Sequence, residues 1–154
     1  MPFALVPALA LTALLGSSLM AGLLFAFSVA VMPALARVTP DAGLATMNAV
    51  NVVILNPLFL IVFMGTAVVC AALVAVAFYN WGKPGMGWLM VSAVVYLAGT
   101  LLVTMAINVP MNDALAAGSM PWADYLARWT SWNHVRTVAA LVATGGFAFG
   151  FRAL

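Results

Sequence analysis

Few residues in this sequence could do chemistry, and most of them fall in three short runs. One is Trp129-Thr-Ser-Trp132-Asn133-His134-Val-Arg136-Thr137, which contains the single histidine of the chain. At helical spacing, Trp129, Asn133, Arg136 and Thr137 share one face, while Thr130, His134 and Thr137 share the adjacent one. Another run is Asn108-Val-Pro110-Met-Asn112-Asp113, where Asn108 and Asn112 lie four apart and so on one face. Pro110 cannot donate to the carbonyl of Ala106, which leaves a free backbone acceptor. Asn48, Asn51 and Asn56 make up the third group.

The surroundings give these residues their interest. Polar groups beside lipid are costly unless paired, and ionisable ones there are functional candidates. Arg136 stands about a turn inside an apolar run, so it needs a carboxylate or several carbonyls. Asp113 is its natural partner, and Asp124 is placed to pair with Arg128 at i,i+4. Plainer roles stand beside these. Arg136 could snorkel to the interface, His134 could be an interfacial hydrogen bonder, and Asn56 and Asn112 could be helix caps.

Common catalytic signatures are missing. The sequence has no paired-carboxylate site, no His-x-x-x-His, no Gly-rich phosphate loop and no nucleophile elbow. One histidine cannot build a mononuclear metal site alone, although His134 could be an axial haem ligand or a metal ligand shared across a homo-oligomer. Cys70 is the only cysteine, so no intrachain disulfide can form, and its apolar surroundings suit a small buried hydrophobe.

The elements that must position these residues belong to a membrane. Of 154 residues, 67% are hydrophobic and 5% are charged, against roughly 25% charged in a soluble domain. The net charge of +2 comes from scattered residues, which excludes a nucleic-acid partner. Charge-free stretches divide the chain. A span needs about 20 apolar residues, and the pattern predicts four, at about 5–32, 57–79, 86–107 and 132–152. The fold class expected is therefore all-α, a four-helix transmembrane bundle in a single domain. Residues 43–55 and 121–131 are expected to be short interfacial helices in the first and third loops. Asn56-Pro57 reads as the N-cap and first turn of span two. The first run is too long for the core of a cleaved signal peptide.

Four spans put both termini on one side. That side carries Lys83, Arg152 and the amino group, and the other carries Arg37, Arg128 and Arg136 with all three acidic residues. We place the termini in the cytoplasm, since Arg136 is a candidate for burial and pairing. The connectivity also gathers the six asparagines other than Asn80, together with His134, Arg136 and Asp113, at the end built by loops one and three. Trp122, Tyr125, Trp129 and Trp132 mark an interface there.

Five segments together carry a resemblance. They are Phe25-Ala-Phe27-Ser-Val-Ala-Val-Met-Pro33, Met47-Asn48-x-x-Asn51, Asn56-Pro57-Leu-Phe59, Asn108-Val-Pro110-Met-Asn112-Asp113-x-Leu115 and Trp129-x-x-Trp132-Asn133-His134-x-Arg136-Thr137. Across nearly the whole chain these resemble the anthrone oxygenase-like family of small membrane proteins. The resemblance implies O2-dependent oxidation of a lipophilic phenol or anthrone without a recognised cofactor, in the inner membrane of a bacterium. The residues permit a catalytic group of His134, Arg136 and Asn133 for such a reaction, with His134 taking the substrate proton and Arg136 and the amides of Asn108, Asn112 and Asn133 hydrogen-bonding the developing enolate. Asn48, Asn51, Asn108, Asn112 and Asp113 would contact substrate, and Trp129 and Trp132 would stack on its ring. The alternative is a non-catalytic protein that binds a lipid, quinone or haem at the polar end.

Overall fold

The structure, a computed structural model, describes residues 5–154. The amino terminus, counted above among the positive charges, lies outside the described residues. Five helices follow one another: α1 (Val6–Leu35), α2 (Pro40–Val53), α3 (Pro57–Tyr79), α4 (Met86–Ala116) and α5 (Trp122–Arg152), with no strand among the described residues. All but α2 are long and apolar enough to cross a membrane. They form a ring in which α1 packs on α3 and α5, and α4 packs on the same two helices. The protein is an all-α integral membrane four-helix bundle. Ile61, Val68 and Val138 stand more than half exposed on its outside, which is a stable arrangement only where lipid covers them.

Small residues bring the helices together. Ala10 and Ala13 of α1 and Ala140 and Ala143 of α5 are fully buried, as is Cys70 of α3. On α5, Gly146 faces Ser92 and Gly150 faces Leu89, so Gly146-x-x-x-Gly150 is a notch that receives α4. A Cβ at Gly150 would stand 2.6 Å from Leu89 Cδ2.

The helices run longer than the apolar pattern suggests. α1 continues to Leu35 rather than about 32, and α4 to Ala116 rather than about 107. Proline does not end either one, because each helix widens into π turns just before it. The π segments are Phe27–Val31, ahead of Pro33, and Thr104–Asn108, ahead of Pro110. Such widening relieves the clash of a proline ring with the carbonyl four residues back. Segment 121–131 is the opening of α5 rather than a helix of its own, since no Gly or Pro lies between Trp122 and Thr144. Only α2 is separate.

One length difference shapes the polar end. α1, α4 and α5 have 30 or 31 residues and α3 has 23, which makes α3 roughly 11–12 Å shorter at 1.5 Å per residue. Asn56 fixes where α3 begins, its Oδ1 accepting from the N–H of Phe59 at 3.0 Å. α2 lies over the resulting space. Its Met47 is buried in a second apolar cluster with Met32, Leu35, Met111, Leu115, Tyr125 and Trp129. Gly43 lets α2 settle on Trp122, since a Cβ there would lie 2.6 Å from the indole.

Candidate functional site

Where α3 falls short, a cavity of about 730 Å³ opens among all five helices. Its inner walls are apolar, with Met20, Leu24, Phe27, Phe59 and Phe63. Its outer part carries Asn48 and Asn51 from α2, Thr104, Asn112 and Asp113 from α4, and Trp129 and Arg136 from α5. An apolar pocket of this size with a few convergent polar groups suits a small lipophilic ligand.

Arg136 is the centre of the polar part. It is only 6% exposed, and no ion pair among the described residues reaches it. Its Nη1 donates to Thr104 Oγ1 at 3.1 Å and its Nη2 to Asn133 Oδ1 at 2.8 Å. The guanidinium carbon lies 5.0 Å from the centroid of the Trp129 ring. Nε has no partner within the protein. Guanidinium has five N–H donors, so the cage positions the cation and leaves donors unspent. The expected pairing with Asp113 does not form, nor does the pair Asp124–Arg128. Asp113 instead lines the cavity as an exposed carboxylate.

The cage is itself tied to its neighbours. Asn133 donates from Nδ2 to Leu24 O and to Ser28 Oγ, each at 2.8 Å, which fixes α5 against α1. Asn112 Oδ1 accepts from the Tyr125 hydroxyl at 2.8 Å and from Trp129 Nε1 at 2.9 Å. Asn108 Nδ2 reaches the Trp129 carbonyl at 3.4 Å. Thr104 Oγ1 gives its own hydrogen to Thr100 O at 2.6 Å, so toward Arg136 it can only accept. Asn51 lies beside the Tyr125 hydroxyl.

Six of the ten candidate residues therefore line one cavity: Arg136, Trp129, Asn112, Asp113, Asn48 and Asn51. Asn133 and Asn108 are buried behind it and hold its walls. His134 and Trp132 are not brought to it. Trp132 is exposed, and His134 is exposed on the outside of the bundle with Nδ1 3.0 Å from Ser28 Oγ. A haem or metal ligand at His134 would therefore bind on the outer face. Among the described residues no three His, Cys, Asp or Glu side chains cluster to hold a metal ion. Sequence reasoning missed Thr104, although it stands four residues before Asn108 and eight before Asn112. It also missed Ser28 and Tyr125, which carry no signal of their own in an apolar helix and an aromatic cluster.

The fold and the site define a class: a small four-span membrane protein whose bundle holds a largely apolar cavity with a caged, unpaired arginine at one end. The family model for anthrone oxygenase matches residues 59–146, more than half of the chain. The chain belongs to the anthrone oxygenase family. The matched stretch contains eight of the ten candidate residues, all but Asn48 and Asn51, and also Thr104 and Tyr125. No curated protein and no solved structure matches the chain.

Proposed function

We propose that this protein is a membrane-embedded oxygenase that takes a lipophilic phenol or anthrone from the bilayer into the cavity and oxidises it with O2. The observation that carries this reading is Arg136, a buried cation lining the cavity with no carboxylate partner. A caged donor set of this kind favours the form of the substrate in which negative charge has moved onto oxygen.

The chemistry runs as follows for an anthrone. The Asp113 carboxylate takes a proton from the ring CH2, and the electron pair moves through the ring onto the carbonyl oxygen, which faces Arg136. An aspartate base opposite an oxyanion-stabilising group is an effective pairing for such enolisations. The enolate carbon passes one electron to O2, and the substrate radical and superoxide combine to form a C–O bond. Asp113 returns its proton to the peroxide. Loss of the second ring proton then breaks the O–O bond and gives the ketone and water. One oxygen atom of O2 ends in the quinone and the other in water. Trp129 stacks along the ring, and Asn112 keeps Trp129 in place.

We read the protein as resident in the inner membrane of a bacterium with its termini in the cytoplasm, because Lys83 and Arg152 lie at that end with no acidic residue. The cavity then opens toward the opposite face.

The test is O2 uptake and quinone absorbance with purified protein in nanodiscs, corrected for the spontaneous oxidation of anthrone. Wild-type protein is expected to accelerate both in equal proportion, and Arg136→Met and Asp113→Asn to lose most of the acceleration. Equal rates in both variants and the wild type overturn the reading. Tight quinone binding without O2 uptake makes the protein a carrier.

A further inference from the structure

We propose that Ser28 is a positioning residue for this reaction: through Asn133 it fixes where the Arg136 guanidinium meets the substrate oxygen, without placing a negative charge beside the cation. The proposal rests on Arg136 being the receptor for that oxygen and deepens the reading by naming what aims it.

Hydrogen counting fixes the path. Arg136 can only donate, and the Leu24 carbonyl can only accept. Asn133 lies between them, with Oδ1 2.8 Å from Arg136 Nη2 and Nδ2 2.8 Å from Leu24 O. Turning the amide over would set N–H against N–H and oxygen against oxygen, so both neighbours demand the same orientation. The second hydrogen of Nδ2 goes to Ser28 Oγ, also at 2.8 Å. Leu24 and Ser28 are four apart on one face of α1, and together they take both amide hydrogens. Ser28 is also the buried residue of the π segment Phe27–Val31, a helix irregularity that recurs at functional sites.

Ser28 keeps its acceptor role whatever its other neighbours do. Thr137 Oγ1 gives its hydrogen to Asn133 O at 2.8 Å, so toward Ser28 Oγ, 3.3 Å away, it can only accept. Ser28 can give its own hydrogen to Thr137 or to His134 Nδ1 at 3.0 Å, and either way its oxygen accepts from Asn133. The path to Arg136 therefore needs the serine and not the outer histidine. Asn133 is fully buried and Ser28 nearly so, so water does not replace a bond lost between them. The neutrality of the amide matters too, because a carboxylate at this point would pair with Arg136 and compete with the substrate oxygen. Asn133 and Thr104 each take one hydrogen from Nη2 and Nη1, and each of those nitrogens carries a second.

The probe is 2-hydroxyanthraquinone, whose visible absorption reports ionisation of its hydroxyl, titrated with the full chain in nanodiscs. Arg136 and Asp113 are the charged residues that line the cavity, and Asp113 is common to every variant. Bound to wild type, the hydroxyl is expected to ionise about 1–3 pH units lower than when bound to Arg136→Met, the usual effect of a facing cation. Ser28→Ala should give back about half a pH unit or more of that difference. Its kcat for anthrone oxidation should fall about tenfold with KM little changed, and by less than about twofold when Arg136 is already Met, since a residue acting through Arg136 then has nothing to act on. Asn133→Asp should return the probe to its Arg136→Met behaviour. A Ser28→Ala protein that melts lower yet ionises the probe and oxidises anthrone like wild type overturns the proposal, and so does an equal loss in both backgrounds. Ionisation that follows Ser28 without any O2 uptake leaves the positioning role standing and removes only the oxygenase reading. Should Ser28→Ala fail to fold, Ser28→Cys, a poorer acceptor, takes its place and must show the same losses.

Discussion

The Arg136 guanidinium lies over the Trp129 ring, 5.0 Å from its centroid, and Trp129 in turn donates from Nε1 to Asn112 at 2.9 Å. The cation is thus held by a flat aromatic face and two side-chain oxygens, none of which carries a formal negative charge. A pair between a cation and an aromatic ring contributes about 0.5–2 kcal/mol, far less than it costs to keep an unpaired charge from water. An arginine kept under these terms is a poor source of stability and a good receptor for an anionic oxygen.

Arg136→Met should therefore separate stability from function. The variant is expected to melt at the same temperature as the wild type or higher, because it removes a buried charge without leaving a buried counter-ion. Anthrone oxidation should fall on the order of 10²–10³-fold, the usual loss when one oxyanion donor is removed. Arg136→Lys should not restore the rate, since an ammonium group offers neither the flat face that stacks on Trp129 nor the same fork of donors. Rates and melting curves measured on the same nanodisc samples decide it, and a melting point that falls in step with the rate would give Arg136 a structural role.

His134 and Asp113 should behave oppositely. His134 is exposed on the outer face and bonds Ser28, whereas Asp113 lines the cavity. His134→Ala is expected to keep the oxidation rate within about threefold, and Asp113→Asn to lower kcat by roughly 10²–10⁴-fold, the range for a lost general base. The Asp113→Asn KM should change little, since the amide keeps the carboxylate's shape. A large loss in His134→Ala with Asp113→Asn unharmed would move the base to the outer face.

These two residues also mark how far the sequence could be read. Composition and charge-free runs made the four spans plain, because only lipid tolerates so few polar side chains. The gathering of asparagines at one end was equally plain, since it follows from connectivity alone. Which of those residues share a cavity was not. His134 and Arg136 are two apart, and on a helix that spacing points side chains about 200° apart; helical spacing put them on different faces but could not tell which one looked inward. The shortness of α3 was legible in Asn56-Pro57, yet the space it leaves, and the seating of α2 over it, depends on Gly43 meeting Trp122. Contacts between residues so far apart in the chain leave no local pattern.

The α4–α5 seam offers a test of the fold that is independent of chemistry. Gly145 and Gly150 lie on the same helix, but a Cβ at Gly145 meets nothing within 4 Å, while one at Gly150 would stand 2.6 Å from Leu89 Cδ2 and 3.2 Å from the Leu89 backbone nitrogen. Gly150→Ala should destabilise the protein by about 1–3 kcal/mol through overpacking. Gly145→Ala should be neutral or slightly stabilising, since alanine is the better helix former by about 1 kcal/mol. Melting curves in detergent give the comparison, and equal shifts for the two would mean that α4 does not seat in this notch.

Asn112 makes the sharpest structural prediction, because one oxygen serves two buried donors. Its Oδ1 receives both the Tyr125 hydroxyl and the Trp129 indole N–H, and Tyr125 and Trp129 are almost wholly buried. Asn112→Leu keeps the size of the side chain and removes the acceptor, so both donors lose their partner at once. Each such group costs about 1–3 kcal/mol, and a combined loss of roughly 2–6 kcal/mol follows. Trp129 should then be free to leave the Arg136 face, which also lowers activity. Asn112→Asp preserves an acceptor at the same position and should recover most of the stability. The recovery distinguishes a lost acceptor from a lost shape. If Asn112→Asp melts as low as Asn112→Leu, the shared oxygen is not what holds Tyr125 and Trp129 together. Indole fluorescence can follow the same pair, since Trp129 should become more solvent-accessible in the leucine variant and not in the aspartate one.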